Sequence, residues 1–230
     1  MASKAGFFHQ ALAIAGKDLR SEWRTKESIN ASMSFAMVIL LLFSFAFDPS
    51  AETVREIAGG LLWLAFAFAG VLILNRTFAR ELTNDCLDML LSSPTTGPQL
   101  FIGKCISNFS LLLLVELMCL PVFGVFYDVR WTRQFPMLCV VLLLGTWGLT
   151  AIGTMFSALT VNLRLRELML PVLVYPMMIP ALMAAIRLTT VLIGGDPIGP
   201  DDQLWFRLLV VFDVIFTLLA LALVETVLVG

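Results

Sequence analysis

Long apolar runs alternate with short polar breaks along the whole chain. A helix that crosses the hydrocarbon of a bilayer needs about 20 predominantly apolar residues. Six runs reach that length: Ile29–Phe47, Ile57–Leu74, Cys105–Phe126, Met137–Leu159, Leu168–Ile186 and Leu204–Val229. None shows the period-2 alternation of a membrane barrel strand. The pattern predicts an all-α polytopic membrane protein with six transmembrane helices. Two further segments are too polar to span. Within residues 7–26, Phe8, Leu12, Ala15, Leu19 and Trp23 recur in steps of three and four, with Lys17, Arg20 and Arg24 on the opposite face. That spacing predicts an amphipathic helix lying in the membrane interface. It serves either as a lipid anchor alone or as an elbow helix bracing the bundle. The chain therefore divides into an N-terminal elbow segment, 1–28, and a transmembrane domain, 29–230.

The second polar segment is the connection Asn75–Lys104, in which Phe78, Leu82, Cys86 and Met89 form one helical stripe. Ser92-Ser93-Pro94 ends it, because proline cannot continue a helix, and a Thr-Thr-Gly-Pro turn follows. A short, charged helix over about 78–92, held between two spans, suits the docking of a partner better than it suits a plain linker. The stretch Leu188–Ile193 is too short to span and predicts a re-entrant or interfacial piece in the loop 187–203. Pro171, Pro176 and Pro180 predict a bent fifth span, either a moving element or a static shape.

Composition agrees. Of 230 residues, 59% are hydrophobic and 14% charged, against about 25% charged in soluble domains. A formal charge of −2 argues against nucleic acid as a partner. With the N-terminus inside, ten of the 15 Lys and Arg fall on the inner side, so both termini face the cytoplasm. Membrane lipid is thus a partner by composition.

Chemistry is sparse. The single histidine is His9, so the spans hold no histidine for haem ligation, a proton relay or a Ser-His protease. The four cysteines show no metal or redox spacing. Gly97 to Gly103-Lys104-Cys105 loosely resembles a phosphate loop. It has one intervening residue too many, and Cys105 stands where Ser or Thr would hold magnesium. Nucleotide-driven work would have to come from a separate protein. Glu116 and Asp213 are ionisable groups within spans, where acids usually face the bundle interior. Glu116 reads as a substrate-path or switch residue or as a hydrogen-bonded structural acid, and Asp213 reads as the latter.

Six spans, an elbow helix and a charged helix between spans two and three resemble the permease subunit of a type-2 ABC exporter. The stretch GLLWLAFAFAGVLILNRTFARELTNDCLDMLLSSP, then Gly103-Lys104, resembles the haem exporter protein B (CcmB) family. So do the Gly-Thr span LLLGTWGLTAIGTMFSALTVNLR and the proline-rich fifth span. Asn75 stands where that family usually has an acid, and Asp85-Cys86-Leu87-Asp88 keeps the acids of its coupling element without the glycine.

The resemblance implies a non-enzymatic permease subunit of the ABC complex of cytochrome c maturation, in the bacterial inner membrane. It implies a cytosolic ATPase, haem exporter protein A, docked on the coupling helix. Arg80, Glu81, Asp85 and Asp88 would make its polar contacts, and Leu82 and Leu87 its apolar ones. It implies three further partners: the haem-handling membrane protein haem exporter protein C, the small haem exporter protein D, and a periplasmic haem chaperone whose loaded form is released by ATP use. No cofactor is expected on this chain, because ATP and haem would sit in partner subunits. The alternatives are a type-2 ABC permease for a lipid, glycan or drug, and a non-ABC scaffold or channel.

Overall fold

A computed structural model describes residues 6–47, 52–78, 96–127, 129, 132–160, 163 and 165–229. Among them the secondary structure is entirely helical, in seven helices. They are α1 (Phe7–Thr25), α2 (Glu27–Ala46), α3 (Glu52–Leu74), α4 (Gly97–Phe126), α5 (Phe135–Thr160), α6 (Arg166–Gly194) and α7 (Gln203–Val229). Six of them, α2 to α7, are long and apolar enough to cross a membrane. The chain is a multi-pass membrane protein.

The core forms around α3 and α5. α3 packs on α2, α4, α5 and α6, while α5 packs on α3, α4, α6 and α7. Water does not drive helices together inside lipid, so close approach through small residues has to do so. Gly145 lies directly beneath the Trp63 indole, where a Cβ would overlap the ring. Trp63 is in turn fixed by its indole N–H, which donates to Thr189 Oγ1 at 2.9 Å. The seam of α2 repeats every four residues as Ser28, Ser32, Ala36, Leu40 and Ser44, all buried. At the far end Tyr127 donates its hydroxyl to the Leu40 carbonyl at 2.9 Å. Burial pushes that hydroxyl up to about 12, so it stays a donor at any physiological pH.

Two boundaries differ from the hydropathy reading. The third span begins at Gly97 rather than Cys105. Thr96 and Gln99 form a reciprocal capping box and Pro98 occupies the first turn, so the expected Thr-Thr-Gly-Pro turn is a helix start. Gln99 and Lys104 lower the hydropathy of that first stretch, yet both are buried. The fifth span runs on to Gly194, so Leu188–Ile193 is its last turns and not a re-entrant piece. Arg187 does not end the helix because its Nε pairs with Asp202 at 3.1 Å in the following loop. Gly195, at φ 92°, closes the helix in the left-handed conformation that glycine adopts freely. All three prolines lie inside this one continuous helix.

A candidate coupling joint at the α1 end of the bundle

α1 divides its surface into three sectors. Phe8, Leu12 and Trp23 are exposed, as a lipid-facing sector requires. Arg20 and Arg24 occupy a second, also exposed. The third faces the bundle and holds Ala11, Ala15 and Glu22, all buried. Ala15, expected on the lipid stripe, thus lies on the packing face, because a seam of small residues lets α1 approach α4. Gly103 completes the contact: a Cβ there would collide with the Ala11 carbonyl and the Ile14 side chain. α1 therefore braces the bundle, as the elbow reading expects.

The turn from α1 to α2 is built by one carboxylate. Lys26 sits between the helices at φ 53°, a left-handed conformation costing a non-glycine residue about 1–2 kcal/mol. Its N–H donates to the Glu22 carbonyl at 2.6 Å. The Glu22 carboxylate then accepts from the backbone of Ser28 at 2.6 Å and Ile29 at 3.1 Å, and from the Ser28 hydroxyl at 3.0 Å. These are the orphan donors of the first turn of α2, and a negative charge there also complements the helix dipole. Glu22 caps a helix that begins five residues after it.

The same end of the bundle holds a second set of bonds. Lys104, three per cent exposed in its side chain, pairs with Asp18 of α1 at 2.9 Å. It donates to the Thr77 carbonyl at 2.9 Å and lies 5.3 Å above the Phe78 ring. The Thr77 hydroxyl donates to Asn108 Oδ1 at 3.2 Å, and Asn108 Nδ2 donates to Thr154 of α5 at 2.9 Å. Ser157 of α5 donates to the Leu74 carbonyl at 2.8 Å. One network thus ties α1, the exit of α3, the entry of α4 and the end of α5. The exit of α3 and the entry of α4 are the two ends of the connection 79–95. Both roots of that connection are fixed, one by Lys104, Asn108 and Ser157, the other by the Thr96 capping box.

The residues expected to dock a partner, Arg80, Glu81, Leu82, Asp85, Leu87 and Asp88, lie outside the described residues. Of the expected coupling helix over 78–92, the described part is Phe78. The Gly103-Lys104 pair proves to be helical rather than a phosphate loop: its glycine admits α1 and its lysine holds the root of α3.

The two intramembrane acids flank α5. Glu116 of α4 is fully buried, and the Thr146 hydroxyl lies 2.6 and 2.8 Å from its two oxygens. A hydroxyl has one proton, so it serves one oxygen at a time. Asp213 of α7 is five per cent exposed, and among the described residues neither of its oxygens has a hydrogen-bond partner. It fits because Gly148 of α5 has no side chain: a Cβ there would stand 2.6 Å from Asp213 Oδ1. Among the described residues no group of His, Cys, Asp and Glu is arranged to hold a metal.

Comparison with known proteins matches residues 9–228 to the family described as CcmB protein. "Heme exporter protein B" of Rhodobacter capsulatus is 31% identical over 170 residues, 74% of this chain and 78% of that one. The protein of the same name from Paracoccus denitrificans is 30% identical over 170 residues, with the same shares covered. That from Pseudomonas aeruginosa is 25% identical over 209 residues, 91% of this chain and 93% of its own length. The chain belongs to the CcmB family.

Proposed function

We propose that this CcmB-family chain is the membrane permease subunit of a haem-exporter ABC complex serving cytochrome c maturation. It carries no catalytic group of its own; ATP is hydrolysed by a separate cytosolic ATPase resembling haem exporter protein A. That ATPase docks on the connection 79–95, with Leu82 and Leu87 as apolar anchors and Arg80, Glu81, Asp85 and Asp88 as polar contacts. Exposed ion pairs are worth about 0–1 kcal/mol each, so the two leucines carry most of the affinity. Haem is held by partner subunits. The remaining members are the haem-handling membrane protein haem exporter protein C, the small haem exporter protein D, and a periplasmic haem chaperone whose loaded form is released by ATP use. The chain lies in the bacterial inner membrane with both termini in the cytoplasm, which the excess of Lys and Arg on that side supports.

The observation that carries this reading is the joint at Lys104. A docking segment transmits force only if its roots do not yield. Here both roots are bonded into the bundle, and one is bonded also to the interfacial helix α1. Motion imposed on the segment 79–95 thereby reaches α4 and α5 directly, through Lys104, Asn108 and Thr154. Leu82→Asp and Leu87→Asp test the reading. Each is expected to abolish co-purification of the ATPase while membrane insertion and expression stay normal. Undiminished recovery of the ATPase with both variants would refute it.

A further inference from the structure

The outward sector of α1 carries cations and no acid. Arg20 and Arg24 are exposed, one turn and about 6 Å apart along the helix axis. Among the described residues neither guanidinium has an ion pair or a hydrogen bond. Both acids of the helix lie on the bundle side: Asp18 pairs with Lys104 at 2.9 Å, and Glu22 is buried as the cap of α2. No carboxylate of α1 competes for the two arginines. Apolar side chains adjoin them directly. Leu12, Gly16 and Arg20 follow one another at four-residue steps along one line of the helix. Trp23, 66% exposed, lies beside Arg20 on the flank toward Leu12 and Phe8. Gly16 has nothing within 4 Å of where a Cβ would stand, so a gap opens between Leu12 and Arg20. Glycine weakens a helix interior relative to alanine, and no described neighbour of Gly16 requires it. Contact with lipid needs the apolar sector alone. A choice among headgroups needs unpaired charge at headgroup depth, where an interfacial helix holds its polar flank.

We infer that the outward sector of α1 selects anionic phospholipid from the leaflet in which it lies, holding the phosphodiester between Arg20 and Arg24. Each guanidinium can give the phosphate two N–H groups. The glycerol passes over Gly16, and the acyl chains run along Leu12 and Phe8. A zwitterionic lipid brings its own ammonium to the same place, where the two arginines repel it; phosphatidylglycerol does not. An acidic protein suits the sector less well, because Phe8, Leu12 and Trp23 on the same surface need hydrocarbon beside the charge. The selection does not depend on the proposed transport role.

The full chain in detergent would be incubated with equal amounts of phosphatidylglycerol and phosphatidylcholine whose acyl chains differ in mass, and the bound lipids counted by native mass spectrometry. Phosphatidylglycerol is expected to be retained over phosphatidylcholine by roughly tenfold, the order that two surface arginines give. The double variant Arg20→Gln, Arg24→Gln, altered at exposed positions, is expected to keep its thermal midpoint and to bind the two lipids alike. Gly16→Phe, which fills the gap, is expected to lower retention of phosphatidylglycerol with both arginines in place. Arg207→Gln, an exposed position at the start of α7, is expected to change nothing. An undiminished preference in the double variant, or its loss in Arg207→Gln, would overturn the site. Unchanged retention in Gly16→Phe would overturn the seat over the glycine. Equal retention of both lipids by the unaltered chain would overturn the selection and leave the arginines to an acidic protein. Displacement of phosphatidylglycerol by an equal concentration of inorganic phosphate would overturn the lipid as the ligand.

Discussion

Two polar regions inside this membrane protein follow opposite rules. At the α1 end, Glu22, Asp18, Lys104 and Asn108 each have several partners, and apart from the Asp18–Lys17 pair within α1 these bonds join one helix to another or to a helix end. Beside the middle of α5, Glu116 shares one hydroxyl and Asp213 has no hydrogen-bond partner among the described residues. A buried network whose members are bonded to one another holds one geometry, whereas a partly satisfied one does not. At the α1 end the Asn75 Oδ1, at the exit of α3, is the exception, buried with no hydrogen-bond partner among the described residues. The contrast places rigidity where the connection 79–95 is rooted. It leaves the centre of the bundle, between α4, α5 and α7, without a comparable lock. This is the arrangement expected of a bundle driven from one end.

The comparison breaks most severely at Lys104. Lys104→Met removes one partner of a buried ion pair and leaves the Thr77 carbonyl unpaired. A loss of about 3–5 kcal/mol is expected, read as a lowered denaturant midpoint of the detergent-solubilised chain. Charge exchange in the double variant Asp18→Lys, Lys104→Asp should recover part of that loss. It should not recover all of it, since a shorter acid cannot donate to Thr77. Next in size is Glu22→Ala, which strips the cap from α2. A cost of about 1–2 kcal/mol is expected, with faster cleavage of the α1–α2 elbow in limited digestion. The smallest effects, with a change of sign between them, lie beside α5. Glu116→Ala should destabilise by about 1–2 kcal/mol through a lost hydrogen bond and a new cavity. Asp213→Ala should be neutral or stabilising by about 1 kcal/mol, because it removes a buried acid that nothing compensates. A destabilisation at Asp213 equal to that at Lys104 would erase the distinction between the two regions.

Hydropathy makes the architecture legible, since six runs long enough to span cannot be buried in any other way. It reads the ends of two helices badly, for a common reason. Lys104 and Arg187 lower the apolar score, but each finds a place that the score does not see: a buried network for Lys104, and a loop carboxylate for Arg187. The joint itself is half visible. Lys104, Ser107 and Asn108 recur at helical spacing, which puts a polar stripe on one face of a span. On α1, Ala11, Ala15, Asp18 and Glu22 recur in the same way. Neither stripe names its partner, because pairing is a long-range property that periodicity does not carry. Glu22 is illegible for that reason: an acid in an amphipathic helix looks solvent-facing until the first turn of α2 is seen against it. The stripe of Phe8, Leu12, Ala15, Leu19 and Trp23 is right in phase and too wide, since alanine suits a packing seam as well as a lipid face. The docking residues from Arg80 to Asp88 rest on the resemblance and on the charged pattern of 79–95, not on described geometry.

The central claim is that the ATPase engages the segment rooted by Lys104. Photo-cross-linking in intact membranes tests it most directly, with a cross-linking amino acid placed at 82, at 87 and, at the opposite end of the bundle, at 198. The account predicts an adduct with the ATPase from positions 82 and 87, and none from 198. An adduct from 198, or none from 82 and 87 in complexes that still hydrolyse ATP, would contradict it.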